Sequence, residues 1–133
     1  IILNSDLTII QFPLYWFSVP GLLKLYWEQV LEPGFAYPGK FTQSPLNTGR
    51  KILFSITTQS SEQDFSAAGV NGSIESILYP LTVAFRFVGF NILKPFVAYN
   101  VTDKDEQSIK HIIKNLQDKI SSEITEPEIW LPV

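Results

Sequence analysis

The hydrophobic pattern along the chain alternates between two kinds of segment. Continuous apolar runs of strand length occur at Leu7 to Phe12, Lys51 to Thr57 and Phe96 to Val101. Segments with apolar residues at helical spacing follow them, near residues 22–31, 74–87 and 109–120. Because buried strands alternate with helices, the pattern predicts an α/β fold whose parallel sheet is covered on both faces.

Prolines and polar residues mark the expected helix ends. Pro20 is expected at the first position of the first helix, and Pro80 should kink the second helix or displace its start. The expected capping residues are Ser73 or Asn71 for the second helix and Thr102 or Asp103 for the third. The apolar face of the first helix, which we expect to pack on the sheet or at a dimer contact, is formed by Leu22, Leu23, Tyr26, Trp27, Val30 and Leu31. The third helix has the apolar stripe Ile109, Ile112, Ile113, Leu116 and Ile120.

An aromatic run follows the first predicted strand. The stretch from Gln11 to Pro20, QFPLYWFSVP, places four aromatic residues within ten positions, and its prolines exclude an ordinary helix or inner strand. Ligands of parallel α/β sheets bind beyond the carboxyl ends of the strands. That rule selects the loops Pro13 to Val19, Thr57 to Gly72 and Asn100 to Asp103. We therefore expect the aromatic run and the long second loop to lie side by side.

Composition narrows the classes of function. The chain has 133 residues, of which 45% are hydrophobic, so it has room for about one domain. A net charge of -3 gives no electrostatic reason to expect nucleic acid or an anionic membrane. The chain has no run of about 18 apolar residues free of charges or helix breakers, so no membrane span is predicted. Cysteine is absent and His111 is the only histidine, so no metal site is predicted.

Several segments of the chain resemble the NAD(P)H:quinone oxidoreductase branch of the flavodoxin-like flavoproteins. They are QFPLYWFSVPGLLKLYWEQVLEPGFAY at residues 11–37, SITT at 55–58, GVNGSIESILYPL at 69–81, FVGFNILKPF at 87–96 and EPEIWLP at 126–132. The resemblance implies a flavodoxin-like three-layer α/β/α domain with a parallel sheet. Residues 1–133 would form a single partial domain with strands three to five, their helices and the C-terminal tail.

The same resemblance implies that the first two strands, the first two helices and the loop that holds the cofactor phosphates are absent. Leu7 to Phe12 would then be a central strand with one bare edge. We expect either a fragment of a longer protein or a partner that covers this edge.

The activity implied by the resemblance is a two-electron reduction of a quinone. NAD(P)H gives a hydride to FAD, with FMN as a second option, and the reduced flavin passes it to the quinone in ping-pong order. The family likeness also implies a homodimer and a cytoplasmic location. The expected partners are therefore NAD(P)H, a quinone and a second protomer.

Site residues are carried over by position in the resembling segments. The residues expected along the flavin ring are Pro13, Leu14, Tyr15, Trp16 and Phe17, with Thr57 and Thr58 approaching from the second strand and Gln59 and Ser60 after them. Tyr37 and Phe87 are expected to line the nicotinamide and quinone pocket. Aromatic faces give a planar ligand large, rigid contact areas.

Four positions depart from the family pattern. Gln59 and Ser60 replace a Gly-Gly pair, so side chains would narrow the pocket. Phe65 and Asn71 align with the tyrosine and histidine that stabilise the reduced flavin in such reductases. Phe65 has no hydroxyl, and Asn71 can donate a hydrogen bond but cannot carry a charge. These departures leave a second hypothesis open: a catalytically degraded relative that serves as a structural or regulatory subunit.

Overall fold

Strands and helices alternate along the chain in the computed structural model, which describes residues 4–37, 49–66 and 68–130. The strands are β1 (Leu7–Pro13), β2 (Lys51–Thr57), β3 (Asn91–Ile92) and β4 (Phe96–Ala98). The helices are α1 (Gly21–Val30), α2 (Ile74–Phe87) and α3 (Glu106–Thr125), and short 3-10 turns lie at Gln63–Phe65 and Val101–Asp103. Leu131 and Pro132, in the last resembling segment, lie outside the described residues.

The sheet is built around β2. It pairs in parallel with β1 on one side, from Leu7 opposite Lys51 to Pro13 opposite Thr57. On its other side β2 pairs in parallel with both β3 and β4. Ile52 lies opposite Ile92 and Ser55 opposite Phe96, so one extra residue separates β3 from β4. This side of the sheet is therefore formed by two short strands joined through a bulge that contains Pro95, where no donor is needed. The predicted strand Phe96 to Val101 corresponds to β4 alone, and β3 was not predicted from the sequence.

The main core lies between the sheet and the first two helices. Ile52, Phe54 and Ile56 alternate along β2 and are at most 1% exposed. The Phe85 ring of α2 packs edge-on against Phe54, with ring centroids 5.9 Å apart, and against Trp27 of α1 at 5.0 Å. These contacts place α1 and α2 on the same face of the sheet.

The opposite face of β2 is also covered. Leu53 and Ser55 point there and are buried, while α3 contacts β4 and forms the second helical layer. This arrangement confirms the predicted α/β sheet with helices on both faces.

A buried carboxylate near the end of α3 fixes the tail that follows it. Glu123 is 2% exposed and accepts hydrogen bonds from Lys119 Nζ at 2.6 Å and from the Glu128 backbone N–H at 2.7 Å. The tail then lies antiparallel beside β3, where the Trp130 N–H donates to the Ile92 carbonyl at 2.7 Å. The tail covers the edge of β3.

The second helix matches its predicted range. Ser73 caps it by accepting a hydrogen bond from the Ser76 N–H at 3.2 Å, which confirms the first of the two proposed caps. Pro80 lies inside the helix without displacing its start. The expectation of a displaced start was wrong, because the Ser73 cap and the buried residues Ile74 and Leu78 fix the first turn ahead of the proline.

Three other boundaries differ from the sequence predictions. Pro20 precedes α1 instead of starting it, since its ψ of 140° is extended. The third strand ends at Ala98 and not at Val101, because Asn100 turns the chain with a φ of 54°. The cap of α3 is Asp105, which accepts from the Ser108 N–H at 2.8 Å. Thr102 and Asp103 cannot cap α3, since both lie in the preceding 3-10 turn.

The predicted apolar face of α1 is only partly packed. Trp27 is buried, but Leu22 is 83% and Tyr26 51% exposed. In the third helix, Ile113 is also half exposed. Among the described residues, no helix combines the length and the apolar character needed to cross a bilayer.

Thr82 provides a test of the core packing on α2. Its side chain is 1% exposed, and its hydroxyl has no hydrogen-bond partner among the described residues. A buried hydroxyl without a partner is destabilising, so we expect Thr82→Val to raise the free energy of unfolding by about 1 kcal/mol. Urea denaturation measures this change. Thr125→Val, at an exposed hydroxyl bonded to the Ser122 carbonyl at 3.0 Å, is the control and should give no increase.

Candidate active site

A cavity of about 440 Å³ opens beyond the carboxyl ends of β1 and β2. It is lined by Pro13, Leu14, Tyr15, Trp16, Phe17, Thr57, Thr58, Gln59, Ser60, Phe65, Val101 and Thr102. These residues come from all three loops that the carboxyl-end rule selects. The predicted proximity of the aromatic run and the long loop is confirmed.

The aromatic run forms a tight turn with a strained backbone. Tyr15 and Ser18 exchange two backbone hydrogen bonds of 2.9 Å, and the residues between them, Trp16 and Phe17, have φ values of 50° and 59°. Positive φ at both central positions is typical of type I′ turns, which favour glycine and asparagine. Bulky residues in this conformation cost on the order of 1–3 kcal/mol each, and such strain concentrates at functional sites.

The same turn presents unused binding groups. Trp16 is 94% exposed, and Tyr15 and Phe17 are at least half exposed. Within the described part of the chain, the backbone N–H groups of Trp16 and Phe17 have no acceptor. The turn therefore offers flat apolar surface together with free hydrogen-bond donors.

Backbone hydrogen bonds hold the three loops together at the end of β2. The Leu14 N–H donates to the Thr57 carbonyl at 2.9 Å, which ties the aromatic turn to the central strand. On the other side, Thr58 donates to the Ala98 carbonyl at 3.0 Å and accepts from the Val101 N–H at 3.1 Å. The floor of the cavity is thus formed by backbone hydrogen bonds that continue the parallel strand pairing of the sheet.

Hydrogen bonds to Asp64 fold the long loop back on itself. Its carboxylate accepts from the Ser61 N–H at 2.9 Å and from the Ser61 hydroxyl at 2.7 Å, and these bonds lower the pKa of Asp64. Its carbonyl accepts from the Asn71 N–H at 3.0 Å. The next residue, Phe65, is buried against the Tyr99 ring, with centroids 5.9 Å apart. Burial also raises the pKa of Tyr99, so its phenol stays neutral at neutral pH.

The structure divides the predicted site residues into two groups. Those expected along the flavin ring, together with Phe65, line the cavity. Asn71 is half-buried and does not line it. Tyr37 and Phe87 also lie outside the cavity wall and pack against each other, with ring centroids 5.6 Å apart. One chain therefore does not bring Tyr37 and Phe87 to its own cavity.

Two lining residues, Val101 and Thr102, were not singled out from the sequence. The carboxyl-end rule selected their loop, but the position of each side chain depends on Asn100. That residue adopts the left-handed conformation and turns the following residues toward the cavity wall. An asparagine tolerates the left-handed conformation, so Asn100 is the sequence signal that could have indicated this turn.

The chemistry of the wall is neutral. Among its described lining residues none carries a charge, and the polar groups are hydroxyls, one carboxamide and backbone amides. No group of three or more potential metal ligands occurs within the described ranges. The cavity can hold a planar, partly apolar ligand and hydrogen-bond its edge.

Gly69 allows a test of the loop that positions Phe65. A Cβ at this position would overlap the backbone carbonyls of Asp64 and Gln63, which cannot rotate away. We expect Gly69→Ala to lower the free energy of unfolding by about 2 kcal/mol and to expose the loop to proteases. Gly21→Ala, where a Cβ meets nothing within 4 Å, is the matched control and should be neutral. Equal stability of the two variants would contradict this packing.

Comparisons with known proteins agree with this geometry. The flavodoxin-like fold family matches residues 1–120. Rat NAD(P)H dehydrogenase [quinone] 1 is 43% identical over 100 residues, which are 73% of this chain and 36% of the rat protein. The chain spans 36% to 52% of the length of its mammalian relatives.

Two solved structures show the same likeness. A putative quinone reductase from Klebsiella pneumoniae superposes with a TM-score of 0.82 at 28% identity, covering 96% of this chain and 53% of that one. General stress protein 14 from Treponema denticola, in complex with FMN, has a TM-score of 0.74 at 28% identity, covering 90% and 66%. Together with the parallel sheet and its carboxyl-end cavity, these matches show that the chain belongs to the flavodoxin-like family and that its relatives include NAD(P)H-dependent quinone reductases.

Proposed function

We propose that this chain forms the flavin-facing part of an NAD(P)H:quinone oxidoreductase. The observation that carries the proposal is the strained aromatic turn that lines the carboxyl-end cavity, where Trp16 and Phe17 combine flat aromatic surface with backbone N–H groups that have no acceptor among the described residues. The overall reaction converts NAD(P)H, a proton and a quinone into NAD(P)⁺ and a hydroquinone. Relatives named as quinone dehydrogenases, and an FMN-containing relative, support this assignment.

The residues present fit a flavin ring. The cavity volume lies in the range typical of small-molecule sites, and aromatic walls suit a planar tricycle. The Trp16 and Phe17 N–H groups would hydrogen-bond the polar edge of the ring, and the Thr57–Thr58 corner would face it from β2. When bound, the flavin supplies the hydride-accepting and hydride-donating chemistry.

We assign FAD as the cofactor, with FMN as the alternative that the Treponema relative represents. No charged side chain lines the described cavity, so the described lining residues offer no counter-charge to the cofactor phosphates. The role of this chain is to orient the ring and to keep water from one side of it. A cytoplasmic location belongs to the same proposal.

A homodimer completes the site in this proposal. Phe87 is 71% exposed and continues an exposed apolar stripe with Tyr79 and Val83, spaced four residues apart on α2. Exposed apolar stripes of this kind mark protein contacts. We propose that the Tyr37 and Phe87 pair is contributed to the cavity of the partner protomer, where nicotinamide and quinone bind. We also propose that the outer edge of β1, Leu7 to Phe12, is covered in the whole protein, because an exposed apolar strand edge pairs readily with other chains.

The second candidate is a catalytically degraded relative that serves as a structural or regulatory subunit. The observation that favours it is the chemistry at two expected catalytic positions. Phe65 brings no hydroxyl to the cavity wall, and Asn71 does not line the wall at all. Loss of one such donor commonly costs on the order of 100- to 1000-fold in rate.

The turn provides the direct test of flavin binding. In the longest natural form of the protein, we expect stoichiometric flavin absorbance and NAD(P)H-dependent reduction of a quinone. The double variant with Trp16→Gly and Phe17→Gly relieves the positive-φ strain, so its free energy of unfolding should stay level or rise by up to about 1 kcal/mol. Its flavin Kd should nevertheless rise about 10-fold or more, because the aromatic contacts are lost. A wild-type protein that binds no flavin would overturn the proposal.

Phe65→Tyr distinguishes the two candidates. It restores a hydroxyl at the cavity wall, and we expect quinone turnover to rise by up to about 100-fold if the protein is a reductase limited by that donor. Asn71→His is the matched single variant and should add little, since Asn71 does not line the cavity. Flavin bound with turnover at background in Phe65→Tyr, and in the double variant with Asn71→His, would favour the structural or regulatory role.

A further inference from the structure

Gln59 occupies an unusual place in the cavity. It follows the Thr57–Thr58 corner, lines the cavity and is exposed. Its carboxamide has no hydrogen-bond partner among the described residues. A glutamine side chain carries two N–H donors and an acceptor, so an unpaired one at a cavity wall is available to a ligand.

The backbone on both sides of Gln59 is held in place. The preceding Thr58 carbonyl accepts from the Val101 N–H at 3.1 Å, and the following Ser60 carbonyl accepts from the Asn100 N–H at 3.2 Å. The Ser60 N–H in turn donates to Thr58 Oγ1 at 3.2 Å. Gln59 is not among the residues with positive φ, so its side chain is carried without backbone strain. The backbone from which the Gln59 carboxamide extends is therefore held in place by hydrogen bonds on both sides.

The other groups of the cavity wall indicate which kind of ligand the Gln59 carboxamide could bind. Thr58 Oγ1 accepts a hydrogen bond from the Ser60 N–H at 3.2 Å, and Phe65 has no polar atom on its ring. No charged side chain lines the described cavity, so an ionic substrate group would find no counter-charge. A neutral planar molecule with a carbonyl acceptor matches both the aromatic faces and the carboxamide donor.

We propose that Gln59 is a specificity-determining residue that donates a hydrogen bond from its Nε2 to a carbonyl oxygen of the quinone acceptor. It thereby selects quinones over electron acceptors that have no carbonyl. This assignment rests on the proposed reductase function and goes beyond it, since it moves Gln59 from the cofactor to the second substrate. It also assigns a role to the Gln59 side chain, which occupies a position where the resembling family has glycine.

The experiment compares Gln59→Leu with the wild type in the flavin-loaded, full-length protein. Leucine keeps most of the bulk and removes the donor. With 1,4-naphthoquinone we expect the KM to rise about 3- to 10-fold, the effect of one neutral hydrogen bond. With ferricyanide, which has no carbonyl, the rise in KM should be clearly smaller than with the quinone. Gln63→Leu is the matched control, because Gln63 is exposed in the same loop and does not line the cavity.

Quinone binding can also be measured directly, without catalytic turnover. Trp16 lines the cavity, so 1,4-naphthoquinone should quench tryptophan fluorescence of the oxidised protein when it binds. The Kd from this titration should rise by the same 3- to 10-fold in Gln59→Leu and not in Gln63→Leu. If Gln59→Leu does not fold, Gln59→Glu removes the amide donor with nearly the same shape at this exposed position, and it should weaken quinone binding in the same way.

The possible outcomes distinguish a failure of the Gln59 assignment from a failure of the proposed reductase function. Unchanged KM and Kd for the quinone in Gln59→Leu, with the wild type active, would overturn the role of Gln59 and leave the reductase function standing. An equal loss with quinone and ferricyanide would also overturn it, since that pattern indicates general damage to the site. A wild-type protein without flavin or quinone reduction would overturn both.

Discussion

The fold and the candidate site both depend on the parallel hydrogen-bond ladder of β2. This strand is paired on both edges and buried on both faces, so its carboxyl end is fixed in position. The ladder does not stop at Thr57. It continues through Leu14 on one side and through Thr58 and Val101 on the other, which fixes three loops around one cavity. A ligand site at this end is a direct consequence of sheet pairing.

The aromatic turn shows how rigid packing supports local strain. Trp16 and Phe17 keep a backbone conformation that favours glycine, and Leu14 anchors the turn to β2 immediately before them. A strained segment persists only when its surroundings over-determine it. The result is a cavity wall whose backbone conformation is already held before a ligand binds, which lowers the entropic cost of binding.

Several apolar side chains on α1 and α2 remain exposed to solvent in the described part of the chain. Leu22 and Tyr26 on α1, and Tyr79, Val83 and Phe87 on α2, leave hydrophobic area open. An apolar groove of about 330 Å³ also runs between β1 and α1. Phe87, whose ring packs against the half-buried Tyr37, is 71% exposed and adds to this open apolar surface.

The local sequence pattern predicts the first two strands, the approximate positions of the three helices and the loops that form the cavity, because burial and helical periodicity act locally. Tertiary structure decided the rest. It added β3 ahead of the predicted strand and ended β4 at Ala98, after which the left-handed Asn100 turns Val101 and Thr102 toward the cavity. It also separated the Tyr37 and Phe87 pair from the cavity. The pairing of β3 with β2 and the contact of Tyr37 with Phe87 join residues distant in the chain, so linear spacing does not encode them, whereas the Asp105 cap is a local bond from the Ser108 N–H.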